Sequence, residues 1–233
     1  MQTIGLLGGM SWQSTVTYYQ VINRAVGARL GGLHSAKVVL SSLDFHEVET
    51  LQRRDQWEDA GRLLAAEALR LQGAGADFVV LCTNTMHMVA PQIEAAITVP
   101  LLHIADATAE RIAGDGIASV GLLGTRFTME RDFYRGRLEK KHGLQVRTPK
   151  AADRALVHRV IYDELCHGSV AEASRAEFRR IVAELVAEGA GGIVLGCTEI
   201  GLLLRAADAH VPLFDTARIH AEQAARIALD RSS

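Results

Sequence analysis

The 233-residue chain has little of most things that would mark a special class. Aromatic residues make up 5%, prolines number 4, and neither sign of charge dominates, with 25 Lys and Arg against 27 Asp and Glu. Without a basic patch there is no electrostatic footprint for nucleic acid or a membrane surface, so neither is expected as a partner. No apolar run approaches the roughly 20 residues of a membrane span. The N-terminus lacks the positive segment of a secretion signal. Three cysteines, Cys82, Cys166 and Cys197, are too few and too scattered for a disulfide framework or a zinc motif. That usage predicts a reducing, cytoplasmic setting. Nine histidines fall in no metal-ligand pattern, and the Gly-x-Gly-x-x-Gly order of a dinucleotide loop is absent. Neither a metal nor a nucleotide is expected.

What is present is alternation. Short apolar runs at Thr3–Gly8, Ala36–Leu43 and Asp77–Cys82 read as strands. They are separated by helical periodicity over Ser14–Leu30 and Trp57–Leu71, the latter with Leu64, Ala68 and Leu71 on one face. Continuous apolar strands flanked by helices predict an α/β fold with a parallel sheet covered on both faces. The order then repeats. Ile4–Gly8 matches Val120–Gly124, Val79–Leu81 matches Ile193–Leu195, and Val99–Leu101 matches Val211–Leu213, at offsets of 116, 114 and 112 residues. Three landmarks in one order predict two copies of one unit. The expected division is residues 1–98 plus 212–233 as one lobe and 99–211 as the other. The Val-Pro-Leu segments would be the crossovers, and a last helix over Ala217–Arg231 would pack back on the first lobe. Ligands of open α/β sheets bind beyond the carboxyl ends of the strands. Two pseudo-symmetric lobes therefore predict an active site in the cleft between them, served by equivalent strand ends.

The offset of 114 sets Thr83-Asn84-Thr85 against Cys197-Thr198-Glu199. Cys82 falls one place early, where strand alternation turns it into the sheet. Each segment closes a strand and opens a helix. Unpaired N–H groups there should lower a thiol pKa and hold a carboxylate. Cys197 is thus the expected reactive group, although a lone strand-end cysteine is more often a small buried hydrophobe. Glu199 would raise the thiol pKa and is expected to hold a substrate ammonium. Asn84, Thr85 and Thr198 add donors. Gln52-Arg53-Arg54 reads as a polar stretch before a helix, where an arginine could grip a carboxylate. His87, one turn after Thr83, could orient polar groups. Cys166 falls in an expected helix over Asp153–His167, ended by Gly168.

Gly5–Trp12, Thr83–His87 and Gly196–Glu199 together resemble the aspartate/glutamate racemase family over essentially the whole chain, closest to its broad-specificity, L-aspartate/glutamate-acting branch. The resemblance implies racemisation of an amino-acid substrate without pyridoxal phosphate, metal or other cofactor, usually in a homodimer. It implies a thiol on each side of the substrate Cα, one removing a proton and the other delivering one. Carried over, Cys197 is the second-half cysteine, and Asn84, Thr85 and Thr198 hold substrate. Met10, Gln52 and Arg53 surround it. The chain departs from the pattern at Thr83, where the family has cysteine. A hydroxyl is a far weaker acid than a thiol, whose reference value is about 8.5. Asymmetric catalysis follows, with Cys197 stripping one enantiomer efficiently and Thr83 serving the other face. Cys166 stands about where aspartate-specific members carry a lysine, which argues against strict aspartate specificity. The alternatives are a single-cysteine decarboxylase or isomerase of the same superfamily, a hydantoin racemase, and a non-catalytic small-molecule binding protein.

Overall fold

A computed structural model describes residues 1–230. By compactness the chain forms two units, 1–104 with 217–233, and 105–216. Each contains one four-stranded, wholly parallel sheet.

In the first unit β1 (Thr3–Gly8), β2 (Lys37–Ser42), β3 (Phe78–Leu81) and β4 (Leu101–Leu102) lie in the order β2-β1-β3-β4. In the second, β5 (Ser119–Gly124), β6 (Gln145–Arg147), β7 (Ile193–Gly196) and β8 (Leu213–Asp215) repeat that order as β6-β5-β7-β8. The repeat extends to register. Leu7 faces Leu81 and Leu123 faces Leu195, while Val79 faces Leu101 and Ile193 faces Leu213. Even the edge contacts match: Val79 N–H donates to the Pro100 carbonyl at 2.8 Å, and Ile193 N–H to that of Pro212 at 2.9 Å. The Val-Pro-Leu segments are therefore not crossovers, as the sequence reading expected. Each leads into the fourth strand, because proline removes one donor from an edge and leaves its carbonyl free to pair. The seams fall after Ile104 and Thr216 instead of after residues 98 and 211 for the same reason.

Central strands β1 and β3 are buried on both faces, and alternation sorts their side chains. Leu7, Val79 and Leu81 pack against Leu64, Ala68 and Leu71 of helix Trp57–Gly73. Ile4, Leu6, Phe78, Val80 and Cys82 face the other way. There they meet Tyr18, Ile22 and Val26 of helix Trp12–Leu30 and Ala217, Ala221, Ala224, Ala225 and Ala228 of helix Thr216–Leu229. An alanine face lets that last helix lie close on the sheet, and Gln2 N–H ties to the Ala228 carbonyl at 2.9 Å. Its expected extension to Arg231 lies outside the described residues. Among those residues no helix is long and apolar enough to cross a membrane.

Candidate active site

Most of the residues singled out in the sequence stand at strand ends: those of β1 and β3 in the first unit and, in the second unit by itself, that of β7. Where β1 ends, the chain turns at Gly9, whose φ is 90°. A Cβ there would lie 2.2 Å from the Leu43 carbonyl oxygen, so only glycine fits without strain. Gly9 N–H donates to Thr15 Oγ1 at 2.8 Å. Ser11 then caps the next helix through Ser14 N–H. Met10 turns inward and joins the core cluster that also holds Val48 and Met86.

Gln52 belongs to a helix, Phe45–Arg53, capped by Asp44, and not to a polar stretch before one. Its buried amide donates from Nε2 to Met86 Sδ at 2.9 Å. Gln52 and Met10 are thereby gathered beside the segment that follows β3. Arg53, one position on, points elsewhere: its side chain is 65% exposed and lies 3.6 Å from Glu49.

Thr83, Asn84 and Thr85 begin one residue past the end of β3 and are all buried, Thr83 at 8% exposure. Thr83 N–H donates to the Leu81 carbonyl at 2.9 Å. The next residues form a 3-10 turn, Thr85–Val89. Cys82 is wholly buried among the apolar residues of the opposite sheet face, its Sγ 3.6 Å from the Val80 carbonyl. Burial pushes its thiol far above the ordinary range.

Register makes Cys197 the counterpart of Thr83. It follows β7 at 8% exposure. Its Sγ donates to Glu199 Oε2 at 2.9 Å, and Thr198 Oγ1 donates to the same oxygen at 2.6 Å. Glu199 is itself buried. Burial, then the Glu199 charge, then Cys166 raise the Cys197 pKa well above its ordinary value. The sequence reading expected the helix terminus to lower it. The following helix, Ile200–Leu203, is a single turn and too short to supply much of a dipole. In this state the group is a thiol hydrogen-bonded to a carboxylate.

Cys166 lies in a separate 3-10 turn, Leu165–His167, closed by Gly168 at a φ of 74°, and not in the preceding helix, which ends at Asp163. That turn packs on helix Ile200–Leu203. Burial and Glu199 push the Cys166 thiol up to about 12. Among the described residues no three His, Cys, Asp or Glu side chains are grouped to hold a metal ion.

Sequence reasoning gave His87 only a possible orienting role and passed over His103, His220 and Tyr18. These four form a buried cluster behind Thr83 in the first unit. Their scattered numbers carry no spacing signal; the only local hint is that His87 falls one helical turn after Thr83.

The sequence profile of the Asp/Glu/hydantoin racemase family matches residues 7–224. The crystal structure of a candidate Asp/Glu racemase from Yersinia pestis is 57% identical, with a TM-score of 0.94 over 99% of this chain and 100% of that one. That of an aspartate racemase homologue from Pyrococcus horikoshii OT3 is 32% identical, with a TM-score of 0.85 over 99% and 100%. The broad-specificity amino-acid racemase RacX of Bacillus subtilis (strain 168) is 24% identical over 156 residues, 64% of this chain; the match spans 63% of that racemase's length.

Proposed function

Since the chain belongs to the Asp/Glu/hydantoin racemase family, we propose that it racemises aspartate, glutamate or a broader set of amino acids without a cofactor, with Cys197 as principal base and Thr83 serving the opposite face of Cα. The observation that carries this reading is the 2.9 Å contact between Cys197 Sγ and Glu199 Oε2 at a strand end equivalent by register to that of Thr83.

The chemistry follows from that contact. A thiol does not abstract a Cα proton; a thiolate does. Glu199 is placed to accept the thiol proton, and Thr198 holds the receiving oxygen in line. The thiolate takes the Cα proton, and the bonding pair stays on the substrate as a carbanion delocalised into its carboxylate. Thr83 donates the hydroxyl proton to the other face and recovers one from water. Glu199 returns its proton to the hydroxide left by that water, which restores the thiol and carboxylate pair. Asn84 and Thr85 hold the substrate carboxylate, and Met10 and Gln52 bound the pocket. Arg53 must swing from Glu49 if it is to reach a distal carboxylate, and an uncharged side chain needs no such movement. Two copies pair in this reading, and an exposed apolar stripe of Trp12, Val16 and Tyr19 at helical spacing supports that.

The test is Cα-proton exchange in D2O, followed by NMR with both enantiomers of aspartate, glutamate and several neutral amino acids and no added cofactor. Deuterium should enter faster from one enantiomer, with optical inversion, and Cys197→Ser should abolish it. Thr83→Cys should bring the two directions closer. Retained exchange in Cys197→Ser removes Cys197 from the base role, and no exchange with any amino acid sinks the racemase reading.

A further inference from the structure

The hydrogen bonds described for Thr83 run through its backbone, so what fixes its hydroxyl is whatever fixes its peptide groups. One end is held by β3 through the Leu81 carbonyl. The other is held by His87, whose Nδ1 lies 2.7 Å from the Thr83 carbonyl oxygen. The second ring nitrogen settles the tautomer. Ile104 N–H approaches His87 Nε2 at 3.2 Å, and a backbone N–H can only donate. Nε2 is therefore bare, and Nδ1 carries the proton that it donates to Thr83.

The ring is buried among two others. His103 lies at 4.5 Å between centroids and His220 at 5.9 Å, and all three are buried. His220 is locked in its turn: Nε2–H donates to the Leu102 carbonyl at 2.9 Å, and Nδ1 accepts from the Tyr18 hydroxyl at 2.8 Å. Burial and the neighbouring His87 hold its pKa near 3, so it stays neutral. His87 thus bridges the Thr83 carbonyl and the backbone of the segment that follows β4, inside a stack of rings.

We infer that His87 is a positioning residue for proton transfer on the Thr83 side: by holding the Thr83 carbonyl it directs the Thr83 hydroxyl. This rests on the racemase reading, and the experiment separates the two. An amino acid in D2O can lose its Cα proton to Cys197 and regain deuterium from the same side, which is exchange with retention. It can also be reprotonated from the Thr83 side, which is inversion. Asparagine reproduces the Nδ1 donor of His87, and glutamine reproduces the Nε2 position. His87→Gln should lower inversion about 10- to 100-fold and leave exchange with retention at the wild-type rate, and His87→Asn should restore inversion. Equal loss of both processes in both variants would make His87 a general structural residue and overturn the inference. A second measurement needs no variant. Nitrogen-15 NMR of the wild-type protein should find His87 as the Nδ1–H tautomer; the Nε2–H tautomer overturns the assignment. Wild-type protein that exchanges no Cα proton defeats the racemase reading and this inference with it.

Discussion

Glu199 affects Cys197 in two opposed ways, and one substitution separates them. Its charge makes the thiolate harder to form, while its Oε2 is the nearest acceptor for the proton that must leave. Glu199→Gln removes the charge and the acceptor together. Alkylation of Cys197 by iodoacetamide needs only thiolate, so its pH midpoint should move down. Cα-proton exchange also needs the proton removed, so it should fall about 100-fold or more. An unchanged midpoint would mean that the carboxylate does not act on the thiol, and a loss confined to KM that it mainly holds substrate. Cys82 and Thr83 show what a sequence can say at this scale. They are adjacent, yet the period of two in a strand puts Cys82 among Ile4, Leu6 and Val80 and leaves Thr83 at the strand end. That much was legible. So was the raising effect of Glu199, two residues past Cys197; the larger effect of burial was not, since spacing does not encode it.

Helices differ in how openly they declare themselves. Trp57–Gly73 was plain because Leu64, Ala68 and Leu71 repeat on one face. Phe45–Arg53 was not, because its buried face is only Val48 and Gln52, and a polar residue in the apolar stripe hides the period. Helix Ile104–Gly114 carries a feature no pattern would reveal. Asp106 accepts two hydrogen bonds from Arg137, both 2.7 Å, and one each from Lys141 and His142 at 2.8 Å, so it ties this helix to Arg135–His142. Burial pushes its carboxyl up, but these donors outweigh that and hold it far below the ordinary range. Such a group contributes fully above the unfolded carboxylate value of about 3.9 and loses its contribution as pH falls toward the folded value. Asp106→Asn should therefore lose about 1–2 kcal/mol in urea unfolding at neutral pH. The difference should persist from pH 8 down to pH 5 and shrink in stronger acid. A difference unchanged at low pH would show that packing, not charge, is lost.

For the whole molecule, the duplication was the most legible property, because its landmarks are the strand ends themselves and the offsets of 116, 114 and 112 reappear as matched register. The seams were not, because a short edge strand such as Leu101–Leu102 looks like linker until its partner is known. Pairing of copies is tested at this scale. Trp12, Val16 and Tyr19 are 63%, 43% and 52% exposed along one helix face. Sedimentation should give a dimer for the wild type and monomer for Trp12→Ser with Tyr19→Ser; an unchanged dimer places the interface elsewhere. The return of helix Thr216–Leu229 to the first unit has a further consequence, in the order of events during synthesis. Residues 1–104 leave the ribosome with Ile4, Leu6, Val80 and Cys82 covered by helix Trp12–Leu30 alone, and the second helix on that face is made only after residue 215. At ordinary elongation rates that delay is on the order of ten seconds. The second unit, contiguous in the chain, can fold in the meantime. The first unit is therefore the part of the nascent chain whose apolar face stays incompletely covered longest.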